Sequence, residues 1–146
     1  IYQALRLWER IYKTIPAYKD VKNLLDTYQI LIKYPQLETY FSKKEAMLEA
    51  YLQRVIKARF VKQTVKEEAY WVMDTGDTIH VFFRKPLPIT EKDIVDIEGT
   101  VERQFPASSS YTLYSIFGLH STISPSKYQK MLYVEPTKFL RMIEEA

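Results

Sequence analysis

The residues of this chain whose types could do chemistry are few and scattered. Two histidines occur, His80 and His120. Ser121 follows His120, and a serine run fills 108–110, so a hydroxyl nucleophile and an imidazole base could in principle be brought together with an acid. No Gly-x-Ser-x-Gly elbow accompanies them, and a serine run reads as a linker. His80 sits in the apolar run Thr78–Arg84, where a hydrogen-bonded structural ring is the expected reading. Glu67 and Glu68 are adjacent and point apart, which suits a polar turn; Glu144 and Glu145 read as a solvated helix tail. Asp74 and Asp77 belong to Asp74-Thr75-Gly76-Asp77, whose residue types build a turn. The chain has no cysteine, which excludes disulfides and thiolate chemistry, and two histidines are too few for a typical zinc site. No metal, cofactor or catalytic residue is expected.

The basic residues form more suggestive groups. Arg54, Lys57, Arg59, Lys62 and Lys66 follow one another around the end of one helix and the strand after it, and Arg6, Arg10 and Lys13 share a face of the first helix. Converging in space, such side chains neutralise phosphates, and nearby Tyr and Trp rings stack on bases. The same charges also fit a solvated helix face, which is what charge runs usually form. Trp8 and Tyr12, with Tyr2, Tyr18 and Tyr40, are more aromatics than a short helical region can bury, and exposed aromatic rings anchor protein interfaces. A protein partner or an adjoining domain is the competing expectation. Charge is divided along the chain: residues 1–66 carry thirteen Lys/Arg and six Asp/Glu, or +7, and residues 67–146 carry eight and twelve, or −4.

The elements that would position these groups follow from periodicity. Ala4, Trp8, Ile11 and Ile15 make a helical stripe over 2–14 that Pro16 ends, and Val21, Leu24, Leu25, Tyr28, Leu31 and Ile32 make a broad one over 18–33. A short helix fits 36–41, and Ser42 with Glu45 reads as a capping box for a helix reaching about residue 58. Beyond it the pattern predicts a strand at 59–65 and a hairpin of 69–74 and 78–84 around the Asp-Thr-Gly-Asp turn. The second hairpin strand is apolar on both faces, as a central strand is. Thr90 can cap a helix at 91–104, with Asp93 reaching back. A strand at 111–117, a short helix from Pro125, a strand at 131–134 and a terminal helix from Pro136 complete the order. Strands separated by helices imply parallel pairing in part of the sheet.

That order resembles the restriction-endonuclease-like fold, the nuclease superfamily with the PD-(D/E)xK signature. The stretch Gly76-Asp77-Thr78-Ile79-His80-Val81-Phe82-Phe83-Arg84-Lys85 is similar to the strand that ends in Glu-x-Lys, and Tyr114-Ser115-Ile116-Phe117-Gly118-Leu119 looks like the later strand with its glycine exit. The likeness covers about 45–146. It implies a lysine position at Lys85, but places Phe83 where the glutamate belongs and Tyr70 where the first aspartate belongs. An aromatic ring cannot hold the Mg²⁺ that such nucleases use. The resemblance therefore implies a scaffold without its metal-binding carboxylates.

The expected molecule is an α+β (or α/β) domain, with a helical subdomain over 1–58 and a mixed sheet with flanking helices over 59–146. Its expected role is binding without catalysis, with DNA or RNA on Arg6, Arg10, Lys13, Arg54, Lys57, Arg59, Lys62 and Lys85. The alternatives are a protein-interaction module anchored by Trp8 and Tyr12, and a metal-dependent nuclease that uses Asp74. No run is long enough to span a membrane. A cytoplasmic location is expected from the lack of cysteine and of a leader-like segment, and the start at Ile1 suggests a piece of a longer protein.

Overall fold

A computed structural model describes residues 29, 33, 37–40 and 45–146. The chain divides into two compact units, Ile1–Thr39 and Tyr40–Ala146. Helix α1 is Leu37–Tyr40 and α2 is Glu45–Val55. The strands are β1 Gln63–Lys66, β2 Tyr70–Asp74, β3 Ile79–Phe83, β4 Tyr111–Tyr114 and β5 Met131–Val134. Helix α3 (Glu91–Gln104) joins β3 to β4, a 3-10 turn (Pro125–Lys127) precedes β5, and α4 (Pro136–Glu145) follows it. The described residues thus form an α+β fold. The helix expected at 2–14, that at 18–33 except for the helical Gln29 and Lys33, and the cap at Ser42 lie outside the described residues, as do Arg6, Arg10, Lys13, Trp8 and Tyr12.

The sheet is mixed, in the order β1-β2-β3-β4-β5. The first three strands pair antiparallel, and β3–β4 and β4–β5 pair parallel, so β2 alone runs against the rest. The crossover through α3 makes the β3–β4 pairing possible, since parallel neighbours need a long connection. As its two-sided apolar pattern requires, β3 is central: Ile79, Val81 and Phe83 lie on one face with Tyr70, Val72, Tyr111 and Leu113. Ile94, Ile97, Val101 and Phe105 from α3 and its end cover that face. Each such buried aliphatic side chain contributes roughly 1.5–3 kcal/mol. On the opposite face, the Phe139 ring of α4 lies 6.1 Å from Phe82 and 5.2 Å from Tyr114. Helix α2 packs against α4 and buries Leu48, Leu52 and Val55.

Local chemistry sets several boundaries. Thr90 accepts a hydrogen bond from the Asp93 backbone and donates its own backbone N–H to Asp93, the expected reciprocal cap of α3. Pro136 occupies the first turn of α4, where its missing N–H costs nothing. Three expected boundaries shift. Helix α2 stops at Val55, not near residue 58, because Lys57 adopts a left-handed conformation (φ 54°) that breaks the helical ladder. The strand expected at 59–65 begins only at Gln63, where pairing with Asp74 begins. The strand expected at 111–117 ends at Tyr114, the last residue paired with Val134.

Tyr40, one of the aromatics grouped in the helical region, is fully buried. Its hydroxyl donates to the Phe83 carbonyl, and its ring meets Phe139 edge-on at 5.5 Å. A tyrosine can be buried this way because the one polar atom finds an acceptor.

Candidate functional site

The end of the sheet at the β2–β3 hairpin carries a cleft of about 410 Å³. Its walls come from two sources. The residues leaving α2, Ile56 to Phe60, form one side; Thr75, Asp77 and Thr78 of the hairpin, with His80 of β3, form the other. The break in α2 at Lys57 directs this segment across the hairpin instead of onward as helix. Phe60 is 58% exposed, unusual for a phenylalanine. Its ring rests on the hairpin: a Cβ at Gly76 would lie 3.2 Å from the Phe60 Cζ atom. Gly76 also has φ +95°, so glycine meets both the turn's conformation and the ring's approach.

The charged groups of the cleft are Lys57, Arg59 and Asp77. Lys57 and Arg59 are exposed, and neither is paired with a carboxylate among the described residues. Lys62 is close by in the fold, because its backbone N–H donates to the carbonyl of Asp74, the last residue of β2. Arg54 lies one turn back on α2, with its guanidinium 5.5 Å from the centre of the Tyr51 ring.

The two hairpin acids serve the turn. Asp74 Oδ1 accepts from the Gly76 N–H at 2.8 Å, and Asp77 Oδ1 accepts from the Thr75 hydroxyl at 3.0 Å. His80 shares a 2.8 Å hydrogen bond between Nδ1 and the Tyr114 hydroxyl, and its ring stacks on Tyr114 at 5.7 Å. Burial holds its pKa below the usual histidine value, and the Asp77 charge offsets that in part.

The opposite end of the sheet carries a second basic group. Lys66 and Arg84 lie on the Trp71 ring, each 4.9 Å from its centre, and Lys66 pairs with Glu49 at 3.4 Å. Lys85 follows just beyond Phe83, at this end. The basic residues gathered along the sequence therefore separate in space: Lys57, Arg59 and Lys62 belong to the hairpin end, Lys66 and Lys85 to the other.

Tyr70 and Phe83, aligned by the resemblance with acids, are direct cross-strand partners, both buried. The Tyr70 hydroxyl donates to the Asp96 carbonyl at 3.1 Å and lies 2.6 Å from the Thr100 hydroxyl. Among the described residues no three His, Asp or Glu side chains gather as a metal would require. His120 and Ser121 sit on an exposed turn, where the His120 ring bonds Thr122 rather than an acid. No helix of the described residues is long and apolar enough to cross a membrane.

Sequence reasoning missed Phe60, Thr75 and Thr78 as parts of the cleft. The available signal was Phe60 itself, a large apolar residue between Arg59 and Lys62 in a stretch without alternation. The fold and this cleft define the class: an α+β domain with a basic, aromatic-floored cleft at one sheet end. No family model matches the chain, and no curated protein or solved structure matches it either.

Proposed function

We propose that this domain is a non-catalytic, nuclease-like module that binds nucleic acid, and that the hairpin-end cleft is its contact surface. The observation that carries the reading is the joint placement of Lys57, Arg59 and the exposed Phe60 ring in one cleft. Cations beside an aromatic surface suit a phosphate backbone that carries bases. The nuclease-like part of the reading draws support from the sheet. Its antiparallel meander and its helical crossover are compatible with the element order on which the resemblance rests. The buried pair Tyr70–Phe83, standing where that signature has acids, favours holding over cutting.

The test is binding of labelled nucleic acid, single-stranded and duplex, followed by fluorescence anisotropy across a salt series. Affinity falls as salt rises, and Lys57→Glu with Arg59→Glu weakens it and lowers the salt slope by roughly 0.7–0.9 for each lost phosphate contact. A salt-independent signal, or none at micromolar protein, rejects the reading. Retention of a specific protein partner by a monomer that ignores nucleic acid would favour the interaction-module alternative.

A further inference from the structure

Resting on that reading, we infer that the hairpin-end cleft takes an unpaired nucleotide, so that the ligand is single-stranded nucleic acid rather than duplex. The Phe60 ring is held against the hairpin tip at Gly76, yet more than half of the residue is open to solvent. A ring whose edge is held in place while the residue stays largely open offers a stacking surface. In a duplex both faces of each base are already covered by neighbouring bases, and only an unpaired base offers a face to the ring. The cleft volume of about 410 Å³ suits one nucleotide.

Charge placement orients the guest. Lys57 and Arg59 stand on the α2 side of the cleft and Asp77 on the hairpin side. A phosphate is attracted to the first pair and repelled by the carboxylate, so the backbone tracks along Lys57 and Arg59 and the base lies toward Phe60 and the hairpin. Asp77 and the hydroxyl groups of Thr75 and Thr78 then border the base edge, where polar groups pair with it rather than with phosphate. Lys62, beside the hairpin, extends the same cationic track.

The experiment compares one labelled mixed-sequence strand, as DNA and as RNA, with the same strand annealed to its complement. The single strand in either chemistry binds the whole chain more tightly than the duplex. Phe60→Ala weakens single-strand binding about tenfold, and Phe60→Trp restores it. Because the side chain is largely exposed, the fold tolerates both changes, and circular dichroism verifies this. Duplex binding as tight as single-strand binding, with Lys57 and Arg59 still required, overturns the inference and leaves the nucleic-acid reading standing. Indifference of single-strand affinity to Phe60→Ala also overturns it. Failure of both ligands to bind removes the nucleic-acid reading itself.

Discussion

Tyr70 on β2 and Phe83 on β3 stand directly opposite one another, on the sheet face that α3 covers. The Tyr70 hydroxyl reaches past its strand to the Asp96 carbonyl and the Thr100 hydroxyl on that helix. The pair thus ties hairpin to helix, through apolar contact at the sheet and hydrogen bonds at the helix. An ionised acid at either position would lose its water to burial, a cost that only a well-placed cation offsets.

Tyr70→Phe keeps the ring and removes the hydroxyl. The Asp96 carbonyl loses a donor, while Thr100 keeps its contact with Arg103 at 3.3 Å. The expected loss is about 1 kcal/mol of stability, read from the midpoint of urea unfolding. Nucleic-acid binding at the distant hairpin end stays unchanged.

Thr90→Ala removes the side-chain oxygen that accepts the Asp93 N–H at the start of α3. The change costs about 1 kcal/mol, and Thr90→Ser recovers most of it because serine caps equally well. Chemical denaturation of the three proteins checks this, and equal stability of the alanine variant would contradict the role of the cap.

His80 makes stability depend on acid pH. Its pKa is depressed in the fold by burial, so the folded state favours the neutral ring. The associated stability is fully present above the unfolded value near 6.5 and is lost as pH falls through the depressed one. Asp77 opposes the shift, Lys57 and Arg59 line the same cleft, and Tyr114 is the ring's hydrogen-bond partner. Unfolding free energy therefore declines as pH falls below the unfolded histidine value, and His80→Gln flattens that decline. An unchanged profile in the variant would assign the acid sensitivity elsewhere.

Buried tyrosines make the protein sensitive to alkali. Burial pushes Tyr114 up to about 12. It also raises Tyr40, and it raises Tyr111 with help from the hydrogen-bonded Glu98 carboxylate. For a phenol whose folded value exceeds the unfolded one near 10, stability holds below that value and drains away as pH climbs above it. Tyrosinate absorbance rises in two stages, less buried rings first and the deeply buried group only as the fold opens, with loss of circular dichroism in the second stage.

The amino-acid sequence by itself determined the elements whose signals are local. Thr90 and Asp93 fixed the start of α3, Pro136 the start of α4, and the Asp-Thr-Gly-Asp turn the hairpin, because capping, proline geometry and positive φ act within a few residues. Apolar residues on both faces placed β3 at the centre of the sheet before any partner was known. Tertiary structure decided where strands stop, since Tyr114 ends β4 only because Val134 is its last partner. It also buried Tyr40, whose acceptor at Phe83 lies far along the chain. Above all, it sorted the cations. Lys62 and Lys66 are four residues apart in sequence, yet an extended strand carries them to opposite ends of β1, one beside the hairpin and one beneath Trp71. Local sequence sets what each segment is, while strand direction and register set which side chains meet.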